Sequence, residues 1–485
     1  MKEKFWELKR IQVIIALALF NFVFLGTEYL FDNMMAYVTN SDKVVIAQNY
    51  VLGASVLGLL LFVGWNRFLK RREKLMSCFL IIAINIVCIS MVLKHESYLT
   101  TLLAGIILFI FYGISGSAVH YMAACVLTDD RHLAKTVGIA YALGLLLQFI
   151  NNNVVNRNSL EAFVLSVFFV IFMLFCARLY CDIRKNMTLN NSEVQCIQRP
   201  DCQARILDNP AVSCLALSSC VVLMTCIFST LDNVVTLYHA SGSMDIGQTP
   251  RLLLAVSGLV SGFLYDMGER HYMNIIMYCV TLLSTICVLV IIAGGPFMIG
   301  LIVFYLSAGF FVVFFTASFM ELSHSMKVPE LWAGIGRSLN NLCALLIAPV
   351  SVALLQSGNS LKISITALVL FVLISIANSI YVGQFQGGKE KKGIQEETDT
   401  QETEYDEINF SGFCKSFSLT KREGEVLRVL LISDENVQDI AKQLFISRAA
   451  LYRHIASMNE KTQTKSRIGL IQFYFGWNER NSRNL

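Results

Sequence analysis

Charged residues are scarce in this chain of 485 residues, since Asp, Glu, Lys and Arg together make up only 15% of it. Soluble domains contain roughly 25% charged residues. The deficit excludes an ordinary soluble protein for most of the length. It is confined to the part before Gln386, because the composition after that residue is that of a soluble domain. Two parts of different character are therefore predicted.

Patterns for metal binding and catalysis are also missing. The 14 cysteines include no C-x-x-C pair, and most lie inside apolar stretches, where a free thiol behaves as a small hydrophobe. Zinc-ligand spacing is absent, so no metal site is predicted. The sequence contains no evident carboxylate pair, nucleophile beside a base, or phosphate-binding loop. We therefore expect neither an enzyme nor a cofactor.

Apolar blocks of about 20 residues fill the region from Ile11 to Phe385, which is the length a helix needs to cross the hydrocarbon layer. The first block lacks a small-residue cleavage site, so it is interpreted as a retained span and not as a signal peptide. The pattern predicts twelve spans, at 11–31, 44–65, 75–93, 99–122, 136–156, 160–181, 211–231, 250–267, 272–293, 297–320, 331–355 and 362–384. Residues 1–385 are thus expected to form a multi-pass membrane domain.

Basic residues are divided unevenly between alternate links. One set holds clusters, such as the five Lys and Arg residues between Arg67 and Lys74, whereas the other holds single residues such as Lys43 and Lys94. Links rich in Lys and Arg stay on the cytoplasmic side. The pattern therefore predicts a protein of the bacterial cytoplasmic membrane with both termini in the cytoplasm.

The two halves of the membrane domain share sequence features. A long basic link, 182–209, separates six predicted spans from six. Asp32-Asn33 ends the first span and Asp232-Asn233 ends the seventh, which is where a duplicated unit would repeat them. Residues 262–271, GFLYDMGERH, resemble the inner-loop signature of the major facilitator transporters. That resemblance implies a twelve-helix, two-lobed bundle around a central cavity, and does not by itself imply transport.

Ionisable and amide side chains near the outer ends of the spans are candidate ligand contacts. Such side chains are costly in a bilayer and face a cavity or a partner. The candidates are Glu28, Asp32, Asn33, Asp232, Asn233 and Arg251. They would meet a small polar or aromatic ligand that enters from outside. Alternatively, they are interfacial residues that reach water, and the sequence leaves both possibilities open.

Two polar features complete the description of this part of the chain. Asn340 and Asn341 are expected to hydrogen-bond between helices. Residues 386–413 contain four glycines and eight acidic residues, and the acidic residues lie between Glu390 and Glu407. Such a stretch cannot bury a core, so it predicts a flexible acidic linker between the membrane domain and a last domain, 414–485.

The last domain has the pattern of a helix-turn-helix. Thr420 and Glu423 form a T-x-x-E capping box, which starts a helix. Ser447 is expected to cap another helix over about 448–461. The residues expected to face inward from the helices are Val426, Leu427, Leu430, Val437, Ile440, Ala441, Leu444, Leu451, Ile455 and Met458. Two helices joined by a three-residue turn place the second in a DNA major groove.

Residues 419–427, LTKREGEVL, match the opening of the LuxR-type DNA-binding domain, and Asp439-Ile440-Ala441 and Ile446-Ser447 follow in that family's order. The segment 419–467 resembles that family closely. The resemblance implies a four-helix domain in which Tyr452 and Arg453 face bases, while Arg448, Lys461 and Arg467 contact phosphates. The DNA-binding residues that it implies are Ser447, Arg448, Ala450, Leu451, Tyr452, Arg453, His454, Lys461 and Arg467.

These features favour a membrane-bound, one-component transcription regulator. Its bundle would bind a small-molecule inducer among the membrane lipids, and its last domain would bind double-stranded promoter DNA. LuxR-type domains generally act as dimers, so a homodimer is expected, with RNA polymerase as a further partner. One alternative is a major-facilitator-like transporter with an appended signalling domain. Another is a membrane anchor whose last domain recruits a different regulator.

Overall fold

The computed structural model describes residues 2–127, 132–155, 157–189, 210–242, 249–268, 270–292, 294–356, 359–432, 437–444 and 446–482. All regular elements within these residues are helices, which confirms the predicted all-α class. Those described in the first part of the chain are α1 (Lys2–Ala36), α2 (Ser41–Phe68), α3 (Arg71–Lys94), α4 (Tyr98–Val126), α5 (Leu133–Val154), α6 (Asn158–Leu189), α7 (Pro210–Ala240), α8 (Thr249–Tyr265), α9 (Met273–Ile292), α10 (Phe297–Ser323), α11 (Pro329–Trp332), α12 (Ile335–Gln356) and α13 (Ser360–Ser416). Four more follow, namely α14 (Lys421–Ile432), α15 (Val437–Gln443), α16 (Arg448–Thr462) and α17 (Arg467–Ser482).

Most predicted spans correspond to long apolar helices. Among the described residues, 11 helices are long and apolar enough to cross a membrane. The exception is α8, because its apolar part, Pro250–Tyr265, is shorter than a typical span. A helix of its 17 residues is about 25 Å long, against a hydrocarbon layer of about 30 Å. It ends two residues before the predicted end of the span, and Gly268 just beyond has a left-handed φ of 59°.

Glycine allows two helix pairs to approach closely. A Cβ atom on Gly58 of α2 would collide with the carbonyl oxygen of Ile110 on α4. A Cβ atom on Gly138 of α5 would likewise collide with the carbonyl oxygen of Gly258 on α8. Small residues are needed at such crossings because helices in lipid associate by close packing. The second crossing joins the first six long helices to the rest of the bundle.

The loop after α8 strengthens that junction. Asp266 accepts hydrogen bonds from the backbone N–H groups of Ala134 (3.1 Å) and Lys135 (2.7 Å), at the start of α5. A carboxylate at a helix N-terminus satisfies unpaired donors and complements the helix dipole. Arg270 lies between Asp266 (3.6 Å) and Glu321 of α10 (3.2 Å). The GFLYDMGERH segment therefore ties the two halves together.

Asparagines on α12 bind neighbouring helices, as predicted. The Asn341 amide donates to Ser55 Oγ of α2 at 3.0 Å. The Asn340 side-chain oxygen accepts from the Thr225 hydroxyl of α7 at 3.2 Å. Such hydrogen bonds hold helices together in an apolar layer where water is not an available partner.

The helix α13 continues through residues 386–413, the stretch for which the sequence predicts a flexible acidic linker. Glu, Gln and Lys dominate this stretch, and they lose little side-chain entropy in a helix. The chain divides into two compact units, Met1–Gly388 and Lys389–Leu485. The second unit begins before residue 414, because Phe410 and the fully buried Phe413 pack in its core.

The second unit has its own hydrophobic core, and its helices follow the predicted pattern. The inward-facing residues of α14 and α16 are buried as expected. Ile440 and Ala441 of α15 are buried and Leu444 packs beside them. The aromatic residues that close the core are Phe410, Phe413, Phe417, Phe473, Tyr474 and Trp477.

Glu423 joins the start of α14 to α16. The predicted capping box is confirmed, since the Thr420 N–H donates to Glu423 at 2.7 Å and the Glu423 N–H donates to Thr420 Oγ1 at 3.3 Å. The same carboxylate accepts from Ser457 Oγ (2.7 Å) and Lys461 Nζ (2.6 Å) of α16. Lys461 also donates to the Ser418 carbonyl at 3.1 Å. Burial by itself would raise the pKa of Glu423, but the hydrogen bonds from Lys461, Ser457 and Thr420 lower it to about 2.

Glu423→Gln should destabilise the C-terminal domain by about 2–3 kcal/mol at pH 7, because Lys461 loses its buried anionic partner. The folded-state pKa lies below the ordinary value of 4.5. The stabilisation is therefore complete above about pH 4.5 and is lost as the pH falls towards 2. Urea unfolding of residues 405–485, followed by circular dichroism between pH 2 and 7, measures this difference.

Glu425→Gln is the matched control, because Glu425 is exposed and pairs across the helix surface with Arg422. Its loss should change the unfolding free energy by less than about 0.5 kcal/mol. The variant and the unaltered domain should differ in unfolding free energy by an amount that depends on pH. A difference that is the same from pH 2 to 7 would contradict the assigned role of the Glu423 carboxylate.

Candidate functional site

Two features of the described residues have the character of functional sites. The first is the pair α15 and α16 with the turn between them. The Ser447 hydroxyl accepts from the Ala450 N–H at 3.1 Å, which confirms the predicted cap and starts α16. Arg422 of α14 donates to the Leu444 carbonyl at 2.8 Å and fixes the start of the turn. The turn is thus held by a contact from α14 and by the cap of α16.

One face of α16 is open to solvent. Arg448, Tyr452 and Arg453 are exposed there, with Tyr452 47% accessible. The Arg448 guanidinium lies 5.7 Å from the centre of the Tyr452 ring, so the two side chains stack at the start of the helix. Arg453, one residue further on, can present a bidentate donor pair to a base edge. This face combines hydrogen-bonding side chains with positive charge.

The structure separates the predicted DNA-contact residues into different roles. Ser447 is a helix cap, and Ala450 and His454 are partly buried at the edge of the exposed face. Arg467 begins α17. Leu451 is corrected from a DNA contact to a core residue, since it is fully buried between the helices.

Lys461 contacts its own domain. Its ammonium group lies 2.6 Å from Glu423, and the phosphate contact implied by the resemblance stays a prediction. The sequence contained a signal for this pairing, because Glu423 and Lys461 both belong to the LuxR-type pattern. Pairing across 38 residues becomes visible only once α14 and α16 pack together.

The second feature is a cluster of charged groups between α1, α7 and α8. Glu28 and Asp32 lie one turn apart on α1, and the charged neighbours of Asp32 are Glu28, Asp232 and Arg251. Asp32 is only 2% exposed, and Glu28 and Arg251 are also buried. The interfacial interpretation therefore does not hold for these three residues. Asp232 differs, because its side chain is exposed.

Several charged groups of the cluster have no hydrogen-bond partner. Both carboxylate oxygens of Asp32 and the Nε atom of Arg251 are buried and unpaired. Glu28, in contrast, accepts from the Gln48 amide at 2.8 Å. A buried charged group without a hydrogen bond is costly. The cluster is therefore suited to a polar ligand that supplies hydrogen-bond partners for these groups.

The two amides of the duplicated Asp-Asn pairs hold the halves together beside this cluster. Asn33 contacts His239 Nε2 of α7 at 3.0 Å, and the His239 ring stacks on Tyr29. Asn233 accepts from Asn49 of α2 at 3.1 Å and donates to Ser351 of α12 at 2.6 Å. Asn33 and Asn233 were predicted as ligand contacts, and the structure uses them as contacts between helices.

Sequence reasoning missed Arg337. It lies two residues into α12, and its guanidinium is near the rings of Phe24 (5.5 Å) and Phe315 (5.9 Å). It is also a charged neighbour of Glu28. A lone Arg within an apolar span is the signal that could have identified it. With Arg337, the cluster contains three acidic and two basic side chains.

The C-terminal segment matches a known family. Residues 417–474 match the family described as bacterial regulatory proteins, luxR family. The match covers the helices α14 to α16 and part of α17, and confirms the resemblance of 419–467. A LuxR-type domain indicates a role in transcription regulation. No curated protein matches the chain.

The helical bundle matches a solved structure. The crystal structure of the human organic anion transporter MFSD10 (TETRAN) superimposes with a TM-score of 0.53 at 16% sequence identity, covering 75% of this chain and 98% of that one. At such low identity the likeness shows the fold alone. The chain therefore combines a membrane-type helical bundle of the major-facilitator fold with a LuxR-type helix-turn-helix domain at residues 417–474.

Proposed function

We propose that this protein is a membrane-bound transcription regulator that binds a small molecule in its helical bundle and promoter DNA through α16. The observation that carries the proposal is the presence of a LuxR-type domain and a bundle of apolar helices in one chain. With the DNA-binding domain in the cytoplasm, the basic links of the bundle lie on the same side. Ligand binding changes the pairing or presentation of the DNA-binding domains in a homodimer.

The exposed face of α16 supports the DNA-binding half of the proposal. Arg453 reads a base edge in the major groove, where Arg forms two hydrogen bonds with guanine. Tyr452 contacts a neighbouring base, and Arg448 binds a phosphate. RNA polymerase is a further partner when the bound promoter is activated.

The polar cluster supports the sensing half. Asp32 offers two unpaired carboxylate oxygens and Arg251 an unpaired donor. A small zwitterionic or cationic molecule would supply a donor to Asp32, and a zwitterion would also supply an acceptor to Arg251. The ligand must bind one state of the bundle more tightly than another. A difference of about a few kcal/mol in binding free energy is enough to change transcription.

A transporter with an appended signalling domain is the second candidate. Buried acidic groups between the two halves favour it, because Glu28 and Asp32 lie inside the bundle where a coupling ion could bind. The fold is also that of a protein whose title describes organic anion transport. Uptake by the purified chain in sealed vesicles distinguishes the candidates, since substrate accumulation beyond the binding stoichiometry would favour transport.

Arg453→Ala should remove site-specific DNA binding while the protein still inserts into the membrane. Loss of one bidentate base contact costs about 1–3 kcal/mol, or roughly 5- to 150-fold in affinity. Chromatin capture with sequencing, in cells that produce the full chain, should find sites for the unaltered protein and lose most of them in the variant.

Lys421→Ala is the matched control, because it removes one exposed positive charge from α14 and leaves α16 intact. It should retain the same sites with modestly weaker enrichment. Unchanged enrichment in the Arg453 variant would contradict the assignment of α16. An absence of sites for the unaltered protein would instead favour an anchor that recruits another regulator.

Asp232→Ala and Asp32→Asn should each shift the dose–response midpoint of the inducer at least tenfold. Asp32 loses a charged acceptor, and Asp232 loses the exposed carboxylate beside it. Transcripts that depend on the chain are first defined by comparing a deletion strain with its parent across a panel of zwitterionic and cationic compounds. The response of those transcripts is then measured for each variant at equal membrane abundance.

Glu96→Gln provides the control, since Glu96 is an exposed acidic residue between α3 and α4 and lies outside the cluster. It should leave the midpoint unchanged. A dose–response curve for the two Asp variants that coincides with that of the control would remove the cluster from the ligand site.

A further inference from the structure

A cavity lies within the first six helices, separate from the polar cluster. Its volume is about 190 Å³, and it is bounded by α2, α3, α4 and α6. An apolar cavity of roughly 150 Å³ is enough to bind benzene. None of the residues of the polar cluster lines this second space. It is therefore an independent candidate for a binding site.

The wall of the cavity is apolar and rich in aromatic and sulfur-containing side chains. Its lining includes Phe62, Ile81, Ile114, Met122, Phe172 and Met173. No Asp or Glu contributes to its lining. Because sulfur and aromatic side chains are polarizable and adaptable, such a wall suits a flexible hydrocarbon chain.

One end of the cavity carries a fixed positive charge. Lys74 is buried, and its Nζ atom donates to the Asn66 carbonyl (2.8 Å), Asn66 Oδ1 (3.1 Å) and the Tyr180 hydroxyl (2.9 Å). The ammonium group also lies 5.1 Å from the centres of the Trp65 and Tyr180 rings. These neutral partners hold the ammonium group in place without cancelling its charge.

Arg71 adds a second positive charge at the same end, and its side chain is exposed. Its hydrogen bond to Cys181 Sγ is long, at 3.9 Å, so most of its guanidinium donors are available to an anion. The acidic groups nearest in sequence are already engaged. Glu73 accepts from the Lys70 N–H at 2.7 Å, and Asp182 is paired with Lys9 at 3.1 Å.

Access to the cavity is available beside these charges. Leu75, which belongs to the lining, is 52% exposed on the surface of α3. Arg71 and Leu75 are one turn apart, so a molecule lying in the membrane can reach the cavity past this edge. The position is next to the cluster of five basic residues between Arg67 and Lys74. An anionic headgroup is attracted to such a juxtamembrane cluster.

We propose that this cavity binds a single-chain anionic amphiphile, namely a long-chain fatty acid, with its carboxylate at Arg71 and its hydrocarbon chain between Phe62, Ile81 and Phe172. The carboxylate forms a bidentate contact with the guanidinium and is further attracted by Lys74. The volume accommodates part of one chain and not the two chains of a phospholipid. Binding here is independent of the ligand proposed for the polar cluster.

Trp65 provides a direct test, because it lines the cavity and bromine quenches tryptophan fluorescence on contact. The full chain is placed in phosphatidylcholine nanodiscs and titrated with 9,10-dibromostearate. Saturable quenching is expected. Trp65→Phe should remove the saturable component of the quenching. Saturable quenching that persists in this variant would come from another tryptophan and would contradict binding in this cavity.

Two arginine variants form a matched pair. Arg71→Gln should weaken the saturable binding at least tenfold. Arg72→Gln removes a charge from the next residue, which is also exposed and does not line the cavity, and should leave the affinity unchanged. Ala118→Leu, which fills part of the cavity, should also weaken binding.

Three outcomes would overturn the proposal. The first is equal quenching by the neutral dibromostearyl alcohol, since it would show that the positive charges are not used. The second is an equal affinity of the Arg71 and Arg72 variants. The third is saturable quenching of Trp65 by brominated phosphatidylglycerol with the same dependence on Arg71, which would assign the cavity to a two-chain lipid.

Discussion

The absence of water from the hydrocarbon layer is the constraint on which the bundle depends. Every backbone polar group there must be paired within the protein, and helices achieve this within one segment. The same absence makes helix crossings depend on close contact, as at Gly138, and on amide hydrogen bonds, as at Asn341. It also makes unpaired charges such as Asp32 exceptional features.

The two halves of the bundle meet through polar contacts at both ends. At one end, Asp266 caps α5 and is linked through Arg270 to Glu321. At the other, Asn33 and Asn233 bind partners across the halves. The charged cluster lies beside the second set of contacts. A ligand that pairs with Asp32 can therefore change the stability of the contacts at this end relative to those at the other. This arrangement gives the proposed sensor a physical basis for switching.

The C-terminal domain uses charge differently, because it is surrounded by water. The buried carboxylate of Glu423 accepts hydrogen bonds from four donors and fixes α14 against α16. Positive charge that this network does not use is exposed on α16, where Arg448 and Arg453 are open to a partner. The interior network therefore orients the recognition surface without forming part of it.

The sequence by itself determined the apolar helices, the helix-turn-helix pattern and the caps at Thr420 and Ser447, because these depend on residues at most four positions apart or on the length of an apolar run. It also identified Asp32, Asp232 and Arg251 as unusual. Only the tertiary structure decided that Lys461 pairs with Glu423, that Asn33 and Asn233 join helices, and that Phe413 belongs to a core. These outcomes depend on groups far apart in the chain, whose meeting is set by helix packing and not by local pattern.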